Sequence, residues 1–395
     1  MLDANILIHS LQNSGLSTLN YLPFTKPTLD EATIQGVVEV LRSGWLATGP
    51  NVQALEKALS DYHGGRVMRT LTSATGGLEV ALQVCGIGHG DEVITPALSF
   101  AATPNVILRV GARPVFVDVE LATRNIDLTQ VEAAITPATR AIMPVHFAGL
   151  PVDMDALYDL AARHRLRVIE DAAHAVGSSW KGRKIGSFGD IVSFSFHPNK
   201  NMTTIEGGAL SFAFDDEVKK FDLLRFHGIS RDAEGAMDVS VAGGKYNLSD
   251  VAARVGLGQL AQLDGFNIKR RELAAHYFER LDSDACLLPA RGHSGDEEGH
   301  SWHMFAPLLP LAHLTITRKQ FIDAMHARGI GVGIHYPALH LFSLYRSLGY
   351  REGDFPNAEK IGRETVTLPL FPSMEKSDVE RVCAAVSDIV GAAGK

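Results

Sequence analysis

The chain has 395 residues, 46% of them hydrophobic and 21% charged, with a formal net charge of −8 at neutral pH. This is the composition of a globular protein with a sizeable core, and the acidic balance argues against nucleic acid, whose phosphates call for basic patches. No run approaches the ~18 apolar residues that a membrane helix needs, and Cys85, Cys286 and Cys383 lie far apart with no CxxC spacing, which points to buried thiols in a reducing cytoplasm and not to zinc or redox work.

The opening MLDANILIHS carries an acid where a secretory leader needs basic residues, and its apolar run is very short. Residues 1–21 therefore read as an extension outside the fold. Single cores usually stop growing near ~250–300 residues, so two units are expected, a large one over 22–265 and a smaller α+β one over 266–395.

Short apolar runs then alternate with helical patterns. The runs are VMRTLT (67–72), EVITP (92–96), PVFVDV (114–119), AIMPVHF (141–147), RVIED (167–171), IVSFSF (191–196) and ALSFAF (209–214). Stretches such as MDALYDLAARHRL (154–166) have a period near 3.6. This alternation predicts an α/β fold, with a mostly parallel seven-stranded sheet covered by helices on both faces. Ligands of such sheets collect at the carboxyl ends of the strands. Beyond the sheet the pattern predicts a long helix over 251–282, a Gly-rich surface loop over 283–300 and a helix within 317–329.

Three features could carry chemistry. TSATGG (72–77) follows a strand and opens a helix, so its small residues let backbone N–H groups meet an anion at a positive helix end. Taken alone it equally suits an ordinary N-cap. Asp171, in VIEDAAHA, should stand at the sheet's carboxyl edge, where a carboxylate can pair with a pyridinium nitrogen; the plain alternative is again a helix cap. His174, three residues on, could reach a hydroxyl of the same ring or simply be a satisfied polar residue. Lys200 closes SFSFHPNK (193–200) and is followed by NMTTIEGGALSF. A lone lysine is usually a solvated surface group, but this one lies between two strands, where burial can leave its amine neutral for imine chemistry. Ser195 precedes it by five residues and could offer a hydroxyl to a phosphate. GIGHG (86–90) and GIGVG (329–333) lack the strand-then-helix setting of a dinucleotide site. His335 and His340 have a spacing metals use but no third ligand nearby, so no metal is expected and a structural or substrate contact is favoured.

Together, TSAT at a helix start, VIEDAAHAVG, SFSFHPNK followed by EGG, and KYNLSD followed by GLGQL resemble the DegT/DnrJ/StrS sugar aminotransferases. The resemblance runs from Pro23 to Met374 and takes in SGWLATGP (43–50), GDEVITPALSF (90–100), PVHFAG (144–149), FHGISRD (226–232), HYPALH (335–340) and LPLFPSM (368–374). Within the family, GDEVITP, AITPATRAIMPVHFAG, VIEDAAHAVG and GGKYNLSD are most similar to the branch that forms UDP-4-amino-4-deoxy-L-arabinose.

The resemblance implies an aspartate-aminotransferase-like fold (fold type I) and pyridoxal 5′-phosphate (PLP) as cofactor. It also implies transfer of an amino group from glutamate to a 4-keto nucleotide sugar, and cell-surface polysaccharide biosynthesis as the setting. By position, Lys200 would hold PLP as a Schiff base and Asp171 would face its pyridinium nitrogen. Ser73, Ala74, Thr75 and Ser195 would take the phosphate, Phe100 would stack on the ring and His174 would contact its 3-hydroxyl. Lys26, His335 and Tyr336 would meet the substrate, and Lys245 or Asn247 would reach into a partner subunit's site, which makes the protein a homodimer with shared sites. Phe100 stands where the nearest branch has Trp, Phe147 where it has Tyr, and Gly244 where it has Tyr; these departures bear on the sugar and not on the cofactor. Some relatives are dehydratases with histidine in the lysine's place, and a non-catalytic regulator on the same scaffold is the other alternative. Lys200, intact beside Asp171, favours transamination.

Overall fold

The computed structural model describes residues 21–282, 285–293 and 295–394. The expected extension, apart from Tyr21, lies outside the described residues. The central sheet has seven strands: β1 (Met68–Leu71), β2 (Glu92–Pro96), β3 (Arg113–Val117), β4 (Thr139–Ile142), β5 (Arg167–Asp171), β6 (Ile191–Ser195) and β7 (Gly208–Ser211). Their order is β1-β7-β6-β5-β4-β2-β3, and only β7 runs against the other six. The apolar runs thus become strands with trimmed ends. The largest trimming is at β4, which stops before Pro144 because proline has no N–H for the ladder. The chain continues extended to one further bridge, between Val145 and Asp171.

Consecutive residues of a strand point to opposite faces. Accordingly Ile94, Ile142, Val168 and Val192 enter one apolar cluster, with helix residues Leu55, Leu59, Leu157 and Leu263. Their neighbours Val93, Ala141, Ile169 and Ile191 enter another, with Leu78, Leu82, Ile107 and Phe221. This is why the strands read as continuous apolar runs: both faces are covered.

Among the described residues twelve α-helices accompany the sheet: α1 (Glu31–Ser43), α2 (Pro50–Tyr62), α3 (Ala74–Val84), α4 (Ala102–Arg109), α5 (Leu128–Ala134), α6 (Met154–His164), α7 (Asp215–Arg225), α8 (Asp250–Arg280), α9 (Arg318–Ala327), α10 (Ser343–Arg346), α11 (Pro356–Glu364) and α12 (Lys376–Ala393). Their ends follow local chemistry. Asp30, Ser73, Asp153 and Ser249 each accept a hydrogen bond from the first turn of α1, α3, α6 and α8. Thr317 and Gln320 form a reciprocal capping box on α9.

Helix α8 runs unbroken through the expected boundary at 265/266 and carries the chain into a third cluster, where Leu273 and Tyr277 pack with Phe321, Val379 and Val386. Leu22 joins that cluster and bridges Ile330. A fourth cluster ties Leu98, Phe116 and Phe147, near the sheet's carboxyl edge, to Met304, Leu339 and Tyr345. No described helix is long and apolar enough to cross a membrane.

Candidate active site

Asp171 ends β5 and Ser195 ends β6; Ser73 follows β1 and Phe100 follows β2. These strands run in one direction, so all four residues come to the same edge of the sheet, although they are scattered over more than 120 positions. The turn before β7 closes this edge. A Cβ on Gly208 would lie 2.6 Å from the Phe194 carbonyl oxygen and 2.7 Å from the Ala74 nitrogen. Only glycine lets the start of α3 press against the strand end that holds Ser195, which pairs with Gly208. Ser73 Oγ accepts from the Gly76 N–H at 3.1 Å, while the N–H groups of Ala74 and Thr75 belong to the first turn, which has no intrahelical acceptors.

Lys200 sits in the loop joining β6 to β7. Its N–H bonds to the His197 carbonyl at 2.9 Å, and Thr204 N–H closes the loop on Phe196 at 3.0 Å. The side chain keeps part of its surface open to the cleft, yet the packing around its amine lowers its pKa from 10.5 to about 8, opposed by the attraction of Asp171. Asp171 is 5% exposed. Burial raises its pKa; the Thr103 hydroxyl at 2.8 Å, the Ala173 N–H at 3.1 Å, and the charges of Lys200 and His146 act the other way. A cation and an anion thus share a poorly solvated site, where burial disfavours the charged form of each.

Three histidines complete the shell. His174 lies flat against His303, ring centroids 4.5 Å apart, and its Nε2 meets the Tyr336 hydroxyl at 3.2 Å. Burial first, and then the charge of Lys200, push both His174 and His303 well below the usual histidine range. His335 is lowered to about 3 for the same reasons; it stacks on Phe24 and bonds Thr367 through Nδ1 at 2.9 Å. Phe100 is 55% exposed, its ring 5.8 Å from that of Tyr336, and lines the mouth of the cleft.

The structure therefore brings Asp171, His174, Lys200, His335, Tyr336 and Phe100 together, with Ser73, Ala74, Thr75 and Ser195 along the same edge. It does not bring in Lys26, which is exposed on the segment that carries Phe24. Lys245 and Asn247 bond to each other, and Asn247 also bonds Thr48. Tyr246 between them packs beside Gly76, so this surface loop borders the start of α3 without touching Lys200. His335 and His340 do not converge on a common point, since His340 is buried against Glu359 at 3.0 Å. Sequence reasoning missed Thr103, Asn201 and His303. Thr103 and His303 were marked only as polar residues among mostly apolar neighbours, a pattern that equally fits a satisfied core residue, and Asn201 lies in the polar run HPNKNMTT, where nothing sets it apart. A cleft of about 490 Å³ between α2, β1 and α7 lies away from this site, and its charges already pair as Arg225–Glu56 at 2.7 Å and Arg69–Asp222 at 3.2 Å.

The donor set suits PLP. It offers a lysine able to shed its proton, a buried carboxylate, a helix start for a phosphate, and a buried His174 Nδ1 that has no hydrogen-bond partner. An orphaned buried nitrogen is costly unless something else satisfies it, and a polar substituent on a bound ring would do so.

Comparison with known proteins agrees. The model of the DegT/DnrJ/EryC1/StrS aminotransferase family matches residues 27–387. The spore coat polysaccharide biosynthesis protein SpsC of Bacillus subtilis is 40% identical over 381 residues, covering 94% of this chain and 97% of SpsC. Among solved structures, the PLP form of Spr1654 from Streptococcus pneumoniae, provisionally described as a sugar aminotransferase, superposes with a TM-score of 0.89 at 33% identity, over 94% of this chain and 99% of that one. DesI in the presence of its TDP-sugar product gives a TM-score of 0.85 at 29% identity, over 96% of each chain. With the fold, the opposed lysine and carboxylate, and this breadth of similarity in hand, the chain belongs to the DegT/DnrJ/EryC1/StrS family and is a PLP-dependent sugar aminotransferase.

Proposed function

We propose that the chain moves the amino group of glutamate to C4 of a 4-keto nucleotide sugar, giving a 4-amino-4-deoxy sugar nucleotide and 2-oxoglutarate. The observation that carries this reading is the pairing of Lys200 with Asp171 in one cleft whose mouth is lined by Phe100, Tyr336 and His335. Aromatic and neutral polar groups of this kind suit a sugar ring. The TDP-sugar product of DesI and the polysaccharide setting of SpsC support a nucleotide sugar.

PLP, when bound, supplies an electron sink through which an amino group passes between two carbonyl carbons. Lys200 Nζ would attach it and, once released, take and return the proton; a pKa near 8 leaves both forms populated near neutral pH. Asp171 would hold a positive charge on the ring nitrogen. His174 would offer Nδ1 to the ring oxygen. Ser73, Ala74, Thr75 and Ser195 would bind the phosphate with side-chain hydroxyls and a helix start. Phe100 would cover the ring, and His335 and Tyr336 would contact the sugar nucleotide. The three cysteines, all free thiols, are consistent with the cytoplasm as the place of action.

A panel of UDP-, GDP- and TDP-linked 4-keto sugars, incubated with glutamate and the PLP-loaded protein, tests the reaction. An amino sugar formed in step with 2-oxoglutarate is the expected result. A deoxygenated sugar without amine would replace transamination by dehydration, and inertness toward every sugar of the panel would overturn the 4-keto nucleotide sugar as substrate.

The same reading makes the protein a homodimer in which Lys245 or Asn247 completes the partner's site. Mixing inactive Lys200→Ala protein with a second inactive variant altered at both Lys245 and Asn247 should then restore activity. Random pairing makes half the dimers mixed, each with one complete site, so about a quarter of the wild-type rate returns. No recovery on subunit exchange would show that the sites are not shared.

A further inference from the structure

His303 lies 103 residues beyond Lys200, yet it occupies the centre of the site. It is 6% exposed and stacks on His174 at 4.5 Å with an interplanar angle of 27°. The backbone brings it there through Gly149, whose φ is +94°. A Cβ at that position would lie 2.4 Å from Ser301 Oγ and 2.9 Å from the His174 carbonyl oxygen. His303 N–H bonds the Ala148 carbonyl at 2.8 Å. Arg270 of α8 donates to the His303 carbonyl at 3.3 Å and to that of Leu370 at 2.8 Å, pinning the same segment from the other side.

The side-chain hydrogen bonds leave little freedom. Asn267 donates Nδ2 to the Val176 carbonyl at 3.2 Å, so its Oδ1 faces Asn201 as an acceptor. Asn201 Nδ2 then donates both hydrogens, to Asn267 Oδ1 at 2.8 Å and to the Ser301 carbonyl at 2.9 Å. That orients Asn201 Oδ1 toward His303 Nδ1, 3.2 Å away. An amide oxygen only accepts, so His303 Nδ1 carries the hydrogen and its tautomer follows from the network. The circuit closes on itself. It starts at Val176, two residues past His174, passes through α8 to Asn201, the neighbour of Lys200, and returns through His303 to the face of the His174 ring.

We propose that His303 is a positioning residue: its ring backs the His174 imidazole while its Nδ1–H to Asn201 locks that ring to the loop that presents Lys200. Burial and the nearby charge of Lys200 favour the neutral form of His303. The role rests on the reading of His174 as the partner of a bound PLP ring. His303 acts through His174 and the loop, and it need not touch substrate.

The test uses PLP-loaded protein with two variants that divide the role. His303→Phe keeps a ring and loses the donor to Asn201; His303→Gln keeps an N–H donor and loses the ring. The readouts are the pH midpoint of the absorbance change of bound PLP, the rate of PLP release on dilution, and the Tm of cofactor-free protein. His340→Gln, which breaks the buried His340–Glu359 pair, serves as a stability control.

Both His303 variants should move the midpoint by about half a pH unit or more and speed PLP release by about tenfold, while the control lowers Tm and leaves both spectroscopic readouts at wild-type values. Variants at His303 that lower Tm like the control but keep the wild-type midpoint and release rate would overturn the proposal. If His303→Phe does not fold, His303→Gln decides by the same criteria. A wild-type protein with no PLP absorbance change would sink the reading of His174 together with this proposal. Normal wild-type behaviour with unchanged variants would sink the proposal alone.

Discussion

Lys200→Ala is expected to lower turnover by at least about 10²–10⁴-fold, the range a positioned acid–base group contributes, and to abolish the covalent retention of PLP that borohydride reduction before denaturation should give the wild type. The loop should survive the change, because its closing bonds, Lys200 N–H to His197 and Thr204 N–H to Phe196, are made by the backbone, and because Asn201 anchors it to Asn267 and Ser301. Stability gives a second reading of the same side chain. A lysine whose pKa falls from 10.5 to about 8 on folding binds fewer protons in the folded state than in the unfolded state between those values. Cofactor-free wild-type protein should therefore gain stability as pH rises from about 8 to 10.5. Lys200→Ala should lack that gain, so the Tm difference between the two proteins shifts in favour of wild type across the window. A variant that turns over at the wild-type rate would remove Lys200 from the mechanism. One with the same Tm–pH slope as wild type would show that its amine is not desolvated.

Asp171→Asn is expected to cost about 10²–10³ in kcat, the usual loss when one preorganised charge or dipole at the reacting group is removed. The amide is isosteric and keeps one acceptor oxygen. The Thr103 hydroxyl can turn toward Ser99 Oγ, 2.8 Å away, so gross unfolding is not expected. The sign of the stability effect is opposite to that on activity. Burial is the largest influence on Asp171 and raises its folded pKa above 3.8, so folding favours the protonated acid. That contribution is fully present below 3.8 and is lost as pH rises through the raised value. Above that raised value the cofactor-free wild type holds an ion its surroundings disfavour, and Asp171→Asn should melt higher there, with a flatter pH dependence. A site that trades stability for chemistry behaves in this way. A variant with kcat within about twofold of wild type would take the carboxylate out of the reaction.

The sequence by itself determined the strands and the ends of many helices, because those depend on neighbours in the chain. Seven apolar runs became seven strands, with β4 stopped by Pro144, and Ser73, Asp153, Ser249 and Thr317 cap the helices that follow them. It also marked Asp171 and Lys200, since each sits in a short motif whose local form, a strand end or an inter-strand loop, places it at the carboxyl edge.

Only the tertiary structure decided what surrounds them. The insertion of β7 between β1 and β6, with Gly208 against Ala74, joins the start of α3 to the Lys200 loop. Thr103, Asn267 and His303 come from α4, α8 and the segment after it, and each is a polar residue made tolerable by partners far away in the chain. Burial without a partner is prohibitive for such groups, and the partner is a property of the packed fold and not of the local sequence. The neutral state of the histidines has the same origin: it follows from how closely the folded chain packs His174, His303 and His335 around one lysine.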